Sequence, residues 1–321
     1  MKTVRLFTLL FCLTPTLALA HEAITPSSIK DKPLEKVSPN IYVVHGDHDL
    51  PNPQNRGFMN NPAAIITSKG VVIVDPGGSA EVGKEMLKKV RKISKKPVIA
   101  VFNTHVHGDH WLGNYGISQV YPKVPIYAHV RTIERLHAGE AQVWLTRFMG
   151  MTQGAIAGTQ IVIPTKGLKG GETITLGDTI LRIRYAGPAH SDSDITIEVV
   201  HDKALFSGDI VLNKIIPNGA VPQDANYQGA IIAVKNMLDT PATLFIPGHG
   251  RSGGRELPEA MLRYLQTLHG AVRKYYKQGL SAADMKDPVM KDLQEFKDWA
   301  DFNELGRIIT YVYQQVERDE F

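Results

Sequence analysis

The chain has 321 residues, of which 43% are hydrophobic and 21% charged, and it contains one cysteine. This composition is that of an ordinary globular protein, and it excludes a disordered, collagenous or disulfide-rich chain. The formal charge of +4 is too weak to predict a nucleic-acid partner.

The first twenty residues have the three-part pattern of a secretory signal peptide. Lys2 and Arg5 precede an apolar run that ends near Leu17, and Ala18-Leu19-Ala20 follows as a small-x-small cleavage site. The apolar run is short for a membrane span, which needs about 20 residues. We expect residues 1–20 to be removed and the mature protein to be periplasmic or secreted. A buried N-terminal element or an uncleaved anchor is the alternative.

The single cysteine, Cys12, lies inside this segment. Its removal leaves no thiolate, so a metal site in the mature protein must use His, Asp or Glu ligands. Residues 21–38 are polar and hold several Lys and Pro, which indicates a loosely held N-terminal arm. Past residue 20 no apolar run of about 18 residues remains, so no stable membrane span is expected.

Short apolar runs closed by turn residues predict strands in the first part of the chain at 41–44, 63–67, 71–74, 98–102 and 124–128. The first three form a β-meander pattern, and Pro125 favours an edge position for the last. Helical spacing of apolar residues begins at Ser79 and again in a stretch at 131–160. A further short helix is expected after Asp109 or Trp111.

A second block of apolar runs predicts strands at 160–163, 173–176, 180–185, 194–200, 204–206 and 243–246. From about Arg255 the chain is mostly helical in pattern. The two blocks, roughly 40–130 and 160–250, predict an α/β fold in which two mixed sheets pack face to face with helices outside.

The run His105-Val106-His107-Gly108-Asp109-His110 is the most informative part of the sequence. His105 and His107 lie two residues apart at a strand end, so both can point to one side. Asp109 and His110 follow the turn that Gly108 allows, and they can point to a second position nearby. Imidazole and carboxylate groups suit Zn²⁺, so the run predicts a metal site.

Three further residues of metal-ligand type follow the C-terminal ends of apolar strands, namely His190, Asp209 and His249. Strand ends at one edge of a sheet are where α/β folds place their ligands. Each of the three, taken singly, is more often an ordinary loop or turn residue. Their recurrence after strands favours a shared site.

With these residues the sequence resembles the metallo-β-lactamase-fold hydrolase superfamily over about residues 40–250, with an Asp-bridged, glyoxalase II-like metal site. The resemblance implies a four-layered αββα sandwich at 39–254 and a helical C-terminal extension at 255–321. It also implies two zinc ions per chain. The implied ligands are His105, His107 and His190 for the first ion, Asp109, His110 and His249 for the second, and Asp209 as the bridge.

Two further residues gain an interpretation from this resemblance. Asp75 resembles the buried Asp that supports the metal loop, although a turn residue before Pro-Gly is an equally good interpretation. Asp209 stands where many true β-lactamases have Cys or Ser. Asp at this position is usual in thioesterases, lactonases and other non-lactamase branches.

The expected function is that of an exported dinuclear zinc hydrolase acting on a small-molecule ester, thioester, lactone or amide. Zinc lowers the pKa of a bound water, and Asp109 is placed to orient this nucleophile or to shuttle its proton. A β-lactamase proper, a non-catalytic metal-binding accessory protein and an iron-dependent oxidoreductase are the alternatives. The sequence leaves the oligomeric state open.

Several polar or aromatic residues could lie near a substrate, but each also has an ordinary structural interpretation. The stretch with Trp144, Phe148, Met149 and Met151 could cover the site as a lid or could simply pack as a helix. Residues that could meet a substrate carboxylate are Asn60, Asn61, Asn213 and Lys214. The cluster from His45 to Asp49 is interpreted as a loop near the site mouth.

Overall fold

The computed structural model describes residues 28–217 and 224–320. The predicted signal peptide, Cys12 and residues 21–27 of the predicted arm lie outside the described residues. In the described part of the chain the strands form one sheet of seven strands and one of five. No helix within 28–217 or 224–320 is both long and apolar enough to cross a membrane.

The first sheet has the strand order β1-β2-β3-β4-β5-β6-β7. Its strands are β1 (Glu35–Lys36), β2 (Ile41–Val43), β3 (Ala63–Ile66), β4 (Val71–Val74), β5 (Val98–Phe102), β6 (Ile126–His129) and β7 (Lys166–Leu168). The first four strands pair antiparallel, which confirms the predicted meander. The strands from β4 to β7 pair in parallel.

The second sheet has the order β12-β11-β10-β9-β8. Its strands are β8 (Thr173–Leu176), β9 (Thr179–Tyr185), β10 (Ile195–Val199), β11 (Ala204–Gly208) and β12 (Leu244–Pro247). The strands from β8 to β11 pair antiparallel, and β11 pairs with β12 in parallel. Consequently β9, β11 and β12 all run in the same direction.

The helices are α1 (Ala80–Ile93), α2 (Gly108–Trp111), α3 (Asn114–Ser118), α4 (Val130–Arg135), α5 (Ala141–Met151), α6 (Tyr227–Leu238), α7 (Glu256–Lys277), α8 (Lys286–Asp292) and α9 (Leu305–Glu320). A single π turn, Leu136–Glu140, joins α4 to α5. The Ser79 side chain caps α1 by accepting from the backbone N–H of Val82. The predicted helix after Ser79 is thereby confirmed.

The side chains between the two sheets form the central core. Val72 and Val74 of β4 belong to it together with Ile197 of β10. The alternate residues of β4, Val71 and Ile73, pack instead with α1 on the outer face of the first sheet. Since both faces of β4 are covered, all four of its residues are buried, which explains the continuous apolar run in the sequence.

The outer face of the second sheet is covered by α6 and the C-terminal helices. Leu205 of β11 and Phe245 of β12 share one core with Tyr264 of α7 and Ile308 of α9. The layers therefore follow the order helix, sheet, sheet, helix, and the predicted αββα sandwich with a helical C-terminal segment is confirmed. The domain boundary at residues 254 and 255 stays a prediction.

Two local strand predictions are wrong. Residues 160–163 form no strand, and the nearby β7 belongs to the first sheet rather than to the second block. The strand predicted at 124–128 is β6, which lies between β5 and β7 rather than at an edge. Pro125 precedes β6 and offers only its carbonyl, which accepts the Val101 N–H at 3.0 Å. Its missing N–H therefore costs no strand pairing.

The stretch predicted as a loose arm is partly built into the fold. Glu35–Lys36 pairs with β2 as the edge strand of the first sheet. Ile29 is buried in the core formed with α1. Edge pairing and one apolar anchor therefore hold the described part of this segment.

Candidate metal centre

Seven side chains of metal-ligand type converge at one edge of the two sheets. They are His105, His107, Asp109 and His110 after β5, His190 after β9, Asp209 after β11 and His249 after β12. Because β9, β11 and β12 run in the same direction, their C-terminal ends reach this edge together. The sheet topology thus joins residues that are far apart in the sequence.

A first cluster consists of His105, His107, His190 and Asp209, whose ligand atoms all lie within 4.8 Å of one another. His190 Nε2 lies 2.9 Å from His107 Nδ1. One Asp209 oxygen, Oδ2, lies 3.5 Å from His190 Nε2 and 3.8 Å from His105 Nε2. Three imidazoles and one carboxylate therefore face a common point.

A second cluster consists of Asp109, His110, His249 and again Asp209, within the same 4.8 Å limit. Asp109 Oδ2 lies 3.2 Å from His110 Nε2 and 3.1 Å from His249 Nε2. Asp209 Oδ1 lies 3.3 Å from His110 Nε2, and Oδ2 lies 3.3 Å from His249 Nε2. Asp209 is thus shared between the clusters, in the position that the resemblance implies for a bridge.

Asp75 supports both clusters from beneath. It is 4% exposed and accepts the Thr104 N–H at 2.8 Å and the Thr104 hydroxyl at 2.7 Å. Its Oδ2 also lies 2.9 Å from His110 Nδ1, which places the ring proton on Nδ1 and leaves Nε2 for a ligand. Thr104 Oγ1 lies 3.0 Å from His105 Nδ1 and orients that ring in the same way. The supporting interpretation of Asp75 therefore holds.

Other supporting groups were not found from the sequence. His249 Nδ1 lies 2.9 Å from the Met59 carbonyl, so its Nε2 also faces the centre. Asp194 accepts the Ser191 N–H at 2.7 Å and the Ser191 hydroxyl at 2.8 Å, which braces the loop that carries His190. A backbone carbonyl and a local loop bond leave no signal in sequence spacing.

Two glycines let the strand ends approach the centre. Gly208 has φ +52°, a left-handed conformation in which a Cβ would lie 3.0 Å from Thr104 Oγ1. At Gly248 a Cβ would lie 1.8 Å from Asp209 Oδ1. Substitution of Gly248 would therefore displace the carboxylate that the two clusters share.

The pKa values of His190 and His105 in the first cluster and of His249 in the second cluster are shifted in opposite directions. Burial, together with repulsion from His107, lowers the pKa of His190 to about 3. Burial also lowers the pKa of His105, and repulsion from the neighbouring histidines lowers it further. In the second cluster burial would lower the pKa of His249, but Asp209 and Asp109 raise it to about 10.

The remaining groups of the second cluster follow the same logic. Burial opposes the charged form of His110, but Asp109, Asp209 and Asp75 raise its pKa well above the usual range. Burial would raise the pKa of Asp109 and Asp209, whereas His110 and His249 lower both pKa values strongly. Without metal, this cluster is a set of paired charges at neutral pH.

The donor set fits zinc. His105 Nε2, His110 Nε2 and Asp209 Oδ1 are buried and have no hydrogen-bond partner among the described residues. Buried polar atoms without a hydrogen bond are rare in folded proteins, so three at one point indicate a site built for a ligand. Imidazole nitrogens and carboxylate oxygens are zinc ligands, and the supported ring nitrogens face outward from this site.

The three asparagines proposed to meet a substrate carboxylate have structural partners. Asn60 Nδ2 donates to the Asp75 carbonyl at 3.0 Å, and Asn61 Nδ2 donates to the Pro247 carbonyl at 2.8 Å. Asn213 Nδ2 donates to the Arg251 carbonyl at 2.8 Å. These bonds tie together the loops that carry the ligands.

The aromatic residues of α5 pack beneath the metal loop. Trp144 and Phe148 are each 3% exposed and share a core with Trp111 of α2. The Trp144 ring lies 4.9 Å from the His107 ring between centroids. Helix packing is therefore the better interpretation of this stretch, and it places an indole directly against a ligand of the first cluster.

The loop from His45 to Asp49 lies beside the strand end that carries His249. His45 Nε2 accepts the Ser252 N–H at 3.1 Å, and His48 Nε2 lies 3.0 Å from Asp301 Oδ2. Neither histidine belongs to either cluster of ligand atoms within the described residues. The interpretation as a loop therefore holds.

Comparison with known proteins gives a consistent picture. The sequence profile of the Metallo-beta-lactamase superfamily matches residues 56–249. A linear primary-alkylsulfatase of Pseudomonas sp. is 22% identical over 258 residues, which cover 70% of this chain and 49% of that protein. An acyl-coenzyme A thioesterase of Homo sapiens is 29% identical over 172 residues, which cover 51% of this chain and 60% of that protein.

The chain thus spans about half the length of these curated relatives. Among solved structures, a metallo-beta-lactamase from Pontibacter korlensis superposes with a TM-score of 0.57 at 20% identity. The superposition covers 73% of this chain and 99% of that one. At this identity the likeness concerns the fold.

Proposed function

Since this chain belongs to the metallo-beta-lactamase superfamily, we propose that it is an exported dinuclear zinc hydrolase that cleaves a small ester, thioester, lactone or amide. The observation that carries the proposal is the pair of ligand clusters that share Asp209. A site for a single ion would need neither the second cluster nor a carboxylate with both oxygens in use.

Each cluster would hold one zinc ion through the residues already named. Bound zinc would supply a water of lowered pKa and would polarise the carbonyl oxygen of the substrate. Asp109 lies in the second cluster, so its carboxylate can accept a hydrogen bond from the attacking water and orient it. Asp75 and Thr104 keep the rings fixed during the reaction.

The choice of zinc follows from the nitrogen-rich donor set. Five of the seven ligand-type side chains are imidazoles, and neutral imidazole suits zinc well. Iron is the alternative metal, because imidazole and carboxylate groups can also hold it. A histidine at position 107, rather than a carboxylate, favours zinc.

The substrate class is proposed from the ligand set and the relatives. A carboxylate at Asp209, rather than Cys or Ser, favours the non-lactamase branches of the family. The human relative is a thioesterase by name and the bacterial one an alkylsulfatase. Thioesters therefore come first in a substrate screen, followed by lactones, simple esters and amides, with alkyl sulfates as an added class.

Export is proposed from the N-terminal pattern of residues 1–20 alone. Expression of the full chain in a bacterium and mass spectrometry of the purified protein test it. A mature chain that begins at His21 and is recovered from the periplasm is the expected result. A full-length chain retained in the cytoplasm would overturn this part of the proposal.

The hydrolase proposal is tested on the purified protein by metal analysis and a substrate screen. We expect two zinc ions per chain and turnover of at least one thioester, lactone, ester or amide. His190→Ala should remove one zinc ion and activity, whereas His201→Ala, at an exposed turn position, should change neither. Two bound zinc ions without turnover of any substrate would favour the accessory protein. Turnover of β-lactams alone would favour the β-lactamase.

A further inference from the structure

One ring nitrogen of a first-cluster histidine points away from the metal centre. His107 Nδ1 faces His190 Nε2 at 2.9 Å and so lies in the ligand cluster. His107 Nε2 is buried and has no hydrogen-bond partner among the described residues. When Nδ1 binds a metal, the ring proton must sit on Nε2, and that N–H then needs an acceptor.

The side chain that faces this nitrogen is Asp224. Its Oδ2 lies 4.0 Å from His107 Nε2. Arg135 donates to the same oxygen at 2.7 Å, and this ion pair keeps the carboxylate an anionic acceptor. A small movement of either side chain would close the gap to hydrogen-bond distance.

Arg135, the last residue of α4, holds the Asp224 side chain in place. The guanidinium donates to Asp224 Oδ2 at 2.7 Å and to Asp192 Oδ1 at 2.6 Å. It also forms a two-bond pair with Glu140, at 2.6 and 2.8 Å. Glu140 in turn accepts the Trp144 indole N–H at 3.1 Å. Three carboxylates thus fix one arginine, and the arginine fixes Asp224.

The backbone next to Asp224 is held from the other side by the C-terminal helix α9. Gln315 Nε2 donates to the Ala225 carbonyl at 2.6 Å. Gln315 Oε1 accepts the Tyr227 N–H at 3.0 Å. One amide side chain of the C-terminal segment therefore fixes the backbone on which Asp224 stands.

We propose that Asp224 is a positioning residue of the metal centre, whose carboxylate accepts the Nε2–H of His107 and thereby fixes the ring with Nδ1 toward the first metal. Arg135 and Gln315 hold this carboxylate, so the C-terminal segment takes part in building the site. The inference rests on the proposed dinuclear function for its metal.

The first test measures metal affinity rather than turnover. Zinc affinity of the first cluster is determined on the full mature protein by competition with a chromogenic chelator. Asp224→Ala is expected to weaken it about 10- to 100-fold, the usual effect of removing a carboxylate behind a ligand histidine. Asp224→Asn keeps an oxygen acceptor without the charge and is expected to fall between Asp224→Ala and the unaltered protein.

Asp192 provides the matched control. It also pairs with Arg135, but its side chain is 42% exposed and no contact joins its carboxylate to His107. Asp192→Asn keeps an oxygen acceptor for the guanidinium, and Arg135 retains its two bonds to Glu140, so zinc affinity should stay within about twofold of the unaltered protein. Equal losses in Asp192→Asn and Asp224→Ala would show a general weakening of the Arg135 network and would overturn the proposal.

A second readout follows the His107 ring directly. In the zinc-loaded protein, ¹⁵N–¹H spectra should show a slowly exchanging Nε2 proton on His107, and Asp224→Ala should make this proton exchange rapidly. Loss of the proton signal alone, with zinc affinity and folding of the metal-free protein retained, still supports the contact. An unchanged signal and unchanged affinity in Asp224→Ala overturn it.

Gln315 tests the part played by α9. Gln315→Ala should weaken zinc binding in the same direction as Asp224→Ala but less, by about 3- to 10-fold, below the roughly 10- to 100-fold range for direct partners of a ligand, because Gln315 acts only through the backbone. Gln314→Ala, at the exposed neighbouring position of the same helix, should have no effect.

Failure of the proposed hydrolase would appear as two bound zinc ions without turnover, and all of these binding measurements would remain valid in that case.

Discussion

The two halves of the metal centre share Asp209 but hold their protons differently. In the first half, burial lowers the pKa of His190 to about 3, so this ring is neutral at pH 7. In the second half, Asp209 and Asp109 overcome burial and raise the pKa of His249 to about 10. His190 is therefore ready to bind a metal at neutral pH, whereas His249 must first release a proton.

The difference arises from the carboxylates around each half. Asp109, Asp209 and Asp75 all lie near His110 and stabilise its protonated form. The histidines of the first half mainly face one another, and the carboxylates near His105 and His190 do not outweigh burial and this mutual repulsion. Two sites built from almost the same ligand types therefore differ in pH dependence because of where the negative charges lie. Metal binding that displaces protons depends on pH, and binding that displaces none does not.

The largest effect is expected from the residue that the two halves share. Asp209→Ala removes a ligand from both clusters, so both zinc ions should be lost. Turnover should fall roughly 10³-fold or more, because the loss of a single group that stabilises the transition state already lowers kcat by about 10²- to 10³-fold. Metal analysis and kcat/KM measurements check this. Asp298→Ala, at an exposed position, is the control. Retention of either zinc ion would show that the bridge is not shared.

The second prediction separates the halves by pH. His110 and His249 have raised pKa values and carry protons in the metal-free protein at pH 6 to 8, so zinc must displace both. Second-site affinity should therefore rise with pH, by up to about 100-fold per unit, since each displaced proton contributes about tenfold. Proton release on zinc addition, measured by calorimetry in several buffers, checks this.

The first half should behave differently over the same interval. His190 has a lowered pKa of about 3 and has no proton to lose between pH 6 and 8. The His105 pKa is lowered as well, so zinc affinity at the first site should depend less steeply on pH in this interval than zinc affinity at the second site. Equal pH slopes for the two sites would contradict the difference between the halves.

A third prediction concerns the carboxylate beneath the second half. Asp75→Asn removes the anionic acceptor of His110 Nδ1 and should weaken second-site zinc binding about 10- to 100-fold. It should also lower the pKa of His110, because one of the charges that raises it is gone. Chelator competition and ¹⁵N titration of the ring measure the two effects. An unaltered pKa with weakened binding would indicate a disturbed loop.

The smallest effect is expected from Thr104, whose hydroxyl joins Asp75 to His105. Thr104→Val keeps the shape but leaves His105 Nδ1 without its partner, so first-site affinity should fall by about tenfold, the lower limit for such groups. The second site should be affected less. A larger loss at the second site would mean that Thr104 acts mainly through Asp75.

The fold was more predictable at covered strands than at edges. The four-residue run of β4 is buried on both faces, so it is apolar throughout and easy to recognise. The short β7 has two exposed residues of three, whereas the neighbouring apolar run at 160–163 predicts a strand that the structure does not form. Apolar patterns report burial, and an edge strand has little of it.

The sequence by itself determined the ligand-type residues and the superfamily, because a metal site needs particular side chains and a tight loop keeps several of them together in the chain. Only the tertiary structure decided which ring nitrogen of each histidine faces the centre and which groups hold it there. Asp224, Arg135 and Gln315 carry no motif, since they act across the fold through single contacts. The different pKa values of the two halves likewise depend on distances between charges that the chain brings together only on folding.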